Sequence, residues 1–71
     1  TGPLSLAGPL TEREREILTL LARGCSNQEM AAALVVAIGT VKAHVHQILV
    51  KLEAPSRTAA VARARELGLL R

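Results

Sequence analysis

The amino-acid sequence predicts an all-α fold, a four-helix bundle-like helix-turn-helix domain. Three observations support this prediction: two capping boxes lie within residues 11–29, apolar side chains recur at helical spacing, and the connections marked by Gly or Pro are short. Such short connections leave no room for strands. A chain of 71 residues can form one domain with a modest core.

The first predicted helix covers residues 12–23. Thr11 is a favourable N-cap, and Glu14 follows three residues later to complete a capping box. Gly24 is a typical C-terminal stop. The apolar side chains that recur on one side of this helix are Ile17, Leu18 and Leu21.

Residues 1–9 differ from the rest of the chain because they are rich in Gly and Pro and show no periodicity. This composition predicts a linker or an expression remnant. The helix-turn-helix domain is therefore predicted over residues 10–71.

The second and third helices are predicted over residues 27–34 and 38–52. Ser26 and Glu29 form the second capping box, and Pro55 ends the third helix because the residue before a proline is disfavoured in helical geometry. The third helix has one continuous apolar face at spacings of four, three and four residues, made of Val41, Val45, Ile48 and Leu52.

A fourth helix is predicted over residues 57–67, with Ser56 as its N-cap and Gly68 as its stop. Four apolar side chains are predicted to pack against the other helices: Ala59, Val61, Ala62 and Leu67.

Composition excludes several functional classes. The chain has no Phe, Tyr or Trp, so it has no aromatic surface on which single-stranded bases could stack. No catalytic or phosphate-binding motif is present, and an enzyme is not predicted. His44 and His46 lie on different sides of a helix and the chain has one Cys, so no metal or other cofactor is predicted. No signal peptide or membrane-spanning segment is recognisable, and a cytoplasmic protein without a membrane partner is expected.

Positive charge is concentrated in the second half of the chain. Residues 37–71 carry six Lys and Arg against two Glu, a net charge of +4, whereas residues 1–36 carry three Arg against four Glu, a net charge of −1. This asymmetry suits a polyanionic partner, although taken by itself it is better explained by solvated helix faces.

The face of the third helix opposite its apolar stripe indicates double-stranded DNA as the partner. Lys42 can donate to guanine, Ala43 can contact a thymine methyl group, and His46 can donate to acceptors on base edges. Gln47 and Lys51 lie further around the helix and suit phosphates or flanking bases. This predicted exposed face has no acidic residue, as entry into the major groove requires. His44 borders the apolar stripe and is predicted to be a half-buried structural residue.

Four blocks of the sequence closely resemble the LuxR/GerE family of bacterial transcriptional regulators, in the family's order and spacing. They are Leu10–Leu18 (LTEREREIL), Gly24–Ala31 (GCSNQEMA), Gly39–His44 (GTVKAH) and Ser56–Thr58 (SRT). The resemblance implies a four-helix, response regulator-like domain that binds DNA as a homodimer, is located at the nucleoid and has RNA polymerase as a further partner.

The resemblance also implies roles for individual residues. Lys42, Ala43 and His46 fall on base-contacting positions of the recognition helix. Residues at or near backbone-contacting positions are Asn27, Thr40, Gln47 and Lys51. Residues implied in the dimer contact through the fourth helix are Ala59, Ala62 and Arg63.

Three positions depart from the family pattern, all at the ends of the third helix. Ala37 replaces the usual Ser cap, Ile38 stands where a polar residue is common, and Glu53 replaces Gly or Asn. These departures predict weak ends for this helix.

Two alternatives remain open from the sequence. Region 4 of a sigma factor also has a Thr-Val-Lys recognition helix, but there Ser-Arg commonly follows, whereas Ala43-His44 follows here. A helical protein-interaction or dimerisation module is the second alternative, and the low net charge permits it.

Overall fold

The computed structural model describes residues 9–70, and within them the chain forms four α-helices and no strand. The helices are α1 (Glu12–Ala22), α2 (Asn27–Leu34), α3 (Ile38–Leu52) and α4 (Arg57–Glu66). The predicted all-α fold is confirmed. The bounds of α2 and α3 agree with the prediction, whereas α1 and α4 each end one residue earlier. The linker predicted over residues 1–9 lies outside the described residues, apart from Pro9.

Both predicted capping boxes are present. The Thr11 hydroxyl accepts a hydrogen bond from the Glu14 N–H at 3.1 Å, and the Glu14 carboxylate accepts one from the Thr11 N–H at 2.9 Å. Ser26 and Glu29 repeat this exchange at 3.1 and 2.7 Å. Each box satisfies backbone N–H groups that the first turn of a helix leaves without partners.

The third helix begins differently, because Ala37 occupies its N-cap and provides no side-chain acceptor. The Thr40 N–H instead donates to the Ala37 carbonyl at 3.0 Å, a bond that tightens the first turn. The first turn of α3 therefore has backbone hydrogen bonds but no side-chain cap.

Two helices end at residues with left-handed backbone geometry that are not glycine. Val35 ends α2 with φ 56° and ψ 51°, and Glu53 ends α3 with φ 54° and ψ 44°. This geometry is unfavourable for any residue with a Cβ and most unfavourable for a β-branched one. Val35 is therefore the more strained of the two.

The core forms around α3, which packs against each of the other three helices. Its predicted apolar stripe is buried, and Ile48 and Val41 are fully enclosed. The residues that surround this stripe are Leu10, Ile17, Leu18, Leu21, Met30, Ala31, Ala60 and Ala64.

The packing face of α4 differs from the prediction. Ala60 and Ala64 are its fully buried residues, and neither was among the four predicted packing positions. Three of those four, Ala59, Val61 and Leu67, are half-buried. The fourth, Ala62, is exposed. Small apolar residues occur on all sides of α4, so their spacing in the sequence does not define one inward face.

No single helix among residues 9–70 is long and apolar enough to cross a membrane. The pair formed by α2 and α3 meets the length and composition criterion when both are taken together, but the pair is bent by 109°.

Candidate nucleic-acid interface

The two central helices have the geometry of a helix-turn-helix unit. A three-residue turn, 35–37, connects α2 to α3, and the chain bends by 109° between them. Helix-turn-helix units cross at about 90–120° and present the second helix to the major groove. In this domain α3 is that second helix.

The three predicted base-contacting residues lie together on the exposed side of α3. Lys42, Ala43 and His46 are all exposed, while the opposite side of the helix is buried in the core. Lys42 and His46 are one helical turn apart and project from the same side. His44 is half-buried beside the core, as predicted.

The exposed side of α3 has no negative charge between residues 38 and 52. Neither of the two ion pairs among the described residues includes Lys42, which is exposed. A free cation on a convex helix face can donate to base edges or to phosphate oxygens.

Two of the predicted backbone-contacting residues lie on the exposed part of α3, and a third lies at the start of α2. Thr40 and Gln47 are exposed. Asn27, at the start of α2, is half-buried, and its side-chain oxygen accepts a hydrogen bond from the guanidinium group of Arg57. This bond connects the first turns of α2 and α4, so Arg57 anchors α4 through Asn27.

The fourth predicted backbone contact, Lys51, does not lie on the exposed face. Its side chain is only 9% exposed, and its ammonium group donates to the Glu14 carboxylate at 2.7 Å and to the Pro9 carbonyl at 3.1 Å. Lys51 follows Ile48 by three residues, which places it at the edge of the apolar stripe. The prediction of an exposed Lys51 available to phosphate is therefore wrong.

Glu14 is the partner that retains Lys51 in the interior. Burial acts to raise the pKa of the Glu14 carboxyl group, but the hydrogen bond and charge of Lys51 and the hydrogen bonds from Thr11 outweigh it. The pKa of Glu14 consequently lies below its ordinary value. The sequence indicated the capping role of Glu14 but not its ion pair, because the two residues are 37 positions apart.

The residues implied in a dimer contact share one side of α4. Ala62 and Arg63 are exposed and Ala59 is half-buried. The Nε of Arg63 donates to the Leu52 carbonyl at 3.1 Å and so satisfies a carbonyl at the end of α3. The small side chains of the two alanines would allow another helix to approach closely.

The sequence profile of the family described as "Bacterial regulatory proteins, luxR family" matches residues 8–64. The chain is 56% identical over 61 residues to the response regulator protein VraR of Staphylococcus aureus, and to the proteins of the same name from Staphylococcus saprophyticus and Staphylococcus epidermidis.

A solved structure is similar to most of this chain. The crystal structure of the response regulator ChrA, from a heme-sensing two-component system, superposes with a TM-score of 0.84 at 44% identity and covers 87% of this chain. The match to VraR covers 86% of this chain but only 29% of the length of each VraR protein. The match to ChrA covers 31% of the ChrA chain.

Proposed function

The chain belongs to the luxR family of bacterial regulatory proteins, and we propose that it is an effector domain that binds specific double-stranded DNA with α3 in the major groove. The family's helix-turn-helix domain binds DNA in transcription regulation and is not typically an enzyme. Family membership favours this function over the sigma-factor and protein-interaction alternatives.

The main support for this proposal is the contrast between the buried and the exposed sides of α3. The helix with the most extensive burial on one side leaves Lys42, Ala43 and His46 exposed together on the other, with no acidic residue along the helix. A helix that enters the major groove needs a firmly packed inner face and an outer face of small, polar and basic side chains.

The proposed contacts divide into two groups. Lys42 donates to guanine acceptors, His46 to acceptors on a nearby base, and Ala43 contacts a thymine methyl group. Thr40 and Gln47, together with the amide group of Asn27, contact the phosphate backbone and set the position of α3 in the groove. Lys51 is excluded from this set because its ammonium group is bound in the interior.

The proposal extends to assembly and to the larger protein. Two copies would bind paired half-sites through α4, with Ala59, Ala62 and Arg63 at the contact. The domain would belong to a cytoplasmic, nucleoid-bound response regulator that acts on RNA polymerase, because the relatives it matches are response regulators about three times its length.

The test begins with selection of bound sequences from a random duplex DNA library, followed by titration of the selected site at several salt concentrations. We expect log K to fall linearly with log salt concentration, as for any protein that displaces counterions from phosphates. Lys42→Ala should weaken specific binding by about 1–3 kcal/mol and relax the preference at one base pair.

Arg23→Ala is the matched control, because Arg23 is an exposed cation at the end of α1, away from α3. It lines a shallow surface groove together with Leu69 and Leu70, and no residue of α3 lines that groove. It removes the same charge and should leave the base preference unchanged. Absent or salt-insensitive binding at low ionic strength would overturn the proposed function. Equal effects of the two substitutions would overturn the role of Lys42.

Pairing through α4 has a separate test. Ala62→Glu places a charge at the proposed contact without affecting the core, since Ala62 is exposed. We expect this variant to bind a single half-site normally and to lose the additional affinity for the paired site. Unchanged affinity for the paired site would place the dimer contact elsewhere.

A further inference from the structure

Three large hydrophobic side chains are markedly exposed among the described residues, and one lies at the base-contacting end of α3. Ile38, the first residue of the helix, is 42% exposed, Val50 is 44% exposed and Val35 is 88% exposed. Ile38 precedes Lys42 by one turn, so the two side chains are neighbours on the helix surface.

The neighbours of Ile38 make it the projecting side chain of this turn. Ala37 before it and Gly39 after it are small and exposed, and a Cβ at Gly39 would meet no atom within 4 Å. No other large side chain of residues 37–40 competes with Ile38 for an approaching surface. The first turn of α3 thus presents one branched apolar group next to Lys42, a cation without an ion-pair partner among the described residues.

We propose that Ile38 contacts the methyl group of a thymine and sets a base preference beside the base pair bound by Lys42. This inference rests on the proposed function, because it requires α3 to lie in the major groove. Among the groups that base pairs expose in the major groove, the thymine methyl is the apolar one. Residues near the start of a recognition helix are the ones that reach base edges.

The helical rise gives the expected spacing. Four residues advance about 6 Å along the helix axis, and successive base pairs are about 3.4 Å apart, so Ile38 and Lys42 are about two base pairs apart. Val50 lies about 18 Å from Ile38 along the axis, beyond the part of the helix that reaches the bases. Val50 is therefore a matched control of nearly equal exposure on the same helix.

The experiment compares the original chain with Ile38→Ser and Val50→Ser. Neither side chain belongs to the core, and helical circular dichroism would check that both variants fold. The site selected by the original chain is then prepared with uracil in place of each thymine in turn, which removes the methyl group and retains the hydrogen-bonding groups.

We expect the uracil substitution about two base pairs from the position that Lys42→Ala relaxes to weaken binding by about three- to fivefold, the effect of exposing one buried methyl group, independently of any effect at the thymine that Ala43 contacts. Ile38→Ser should bind the thymine and uracil sites equally, while Val50→Ser should keep the difference. The inference is overturned if no uracil substitution changes the affinity, or if Ile38→Ser retains the difference.

Failure of this inference can be distinguished from failure of the proposed function. If the chain selects a sequence and Lys42→Ala relaxes it, but every thymine can be replaced by uracil, then the methyl contacts of Ile38 and Ala43 are refuted while DNA binding through α3 stands. If the chain selects no sequence, both are refuted.

Discussion

Replacing Lys51 by Met should destabilise the domain by about 3 kcal/mol. The substitution leaves the Glu14 carboxylate buried without its cation, since the two side chains are only 9% and 5% exposed. Removing one partner of a buried ion pair costs about 3–5 kcal/mol. The lower end applies here because the Thr11 N–H still donates to the same carboxylate at 2.9 Å.

This loss is large for so small a domain. At about 0.05–0.15 kcal/mol per residue, the free energy of unfolding of 71 residues is about 4–11 kcal/mol. A loss of about 3 kcal/mol would lower the melting temperature by roughly 12–24 °C, at about 4–8 °C per kcal/mol. The Met side chain itself is tolerated at the edge of the core, so the unpaired charge is the main cause.

The assay is urea unfolding followed by helical circular dichroism, because the chain has no Tyr or Trp whose fluorescence could report unfolding. A double-mutant cycle of Lys51→Met and Glu14→Gln isolates the interaction between the two side chains. The double variant removes both charges of the buried pair, and we expect it to be more stable than Lys51→Met alone. The coupling energy should exceed about 1 kcal/mol.

Arg13→Ala provides the control for an exposed ion pair. Arg13 and Glu16 are 3.6 Å apart with side chains 42% and 53% exposed, and losing this pair should change stability by less than about 0.5 kcal/mol. The reasoning would be refuted if Lys51→Met had an equally small effect, or if the two single losses of the cycle were additive.

The same pair makes stability depend on pH in a defined direction. The pKa of Glu14 is lower in the folded chain than its ordinary value of about 4.3, so the pair stabilises the fold fully above that pH. This contribution is lost as the pH falls through the lowered pKa of the native state. Glu14→Gln should therefore flatten the decrease in stability below about pH 4.3, and an unchanged pH profile would contradict this assignment.

Further expected outcomes concern helix ends and the core, and urea unfolding measures them all. Ala37→Ser should raise the stability by up to about 1 kcal/mol, because it adds the missing side-chain acceptor at the start of α3; no gain would mean that the Ala37 carbonyl already satisfies the turn. Val35→Gly should raise it by about 0.5–1 kcal/mol, because relief of the left-handed geometry exceeds the entropy that Gly adds to the unfolded chain; a loss would show that Val35 is not strained. Ile48→Ala should lower it by about 2–5 kcal/mol, since Ile48 is fully buried; a loss under 1 kcal/mol would place it outside the core.

The helices could be predicted from the sequence because their signals are local. Thr11 with Glu14, and Ser26 with Glu29, define helix starts within four residues, and the buried face of α3 follows from spacing alone. The exposed positions of Lys42, Ala43 and His46 follow from the same spacing, because they lie opposite that face.

Other features depend on contacts between distant parts of the chain and could not be predicted. Lys51 is predicted to be exposed because the residue that binds it belongs to another helix and cannot be identified from spacing. A long basic side chain beside an apolar stripe can turn either inward or outward. The prediction of the inward face of α4 was wrong because alanines lie on several sides of this helix. Only the packing of the neighbouring helices determines that Ala60 and Ala64 are the buried ones. The bond from Arg57 to Asn27 joins residues 30 positions apart and could not be predicted for the same reason.

The two ends of α3 differ in how firmly they are held, and this difference affects how the domain can evolve. Side chains from other helices bind the last turn, through Glu14 at Lys51 and Arg63 at Leu52, whereas the first turn has no side-chain cap. Most substitutions among the exposed residues of the first turns would therefore leave folding intact. If α3 contacts DNA as proposed, new operator preferences could arise there by single mutations, with stability maintained by the opposite end of the helix.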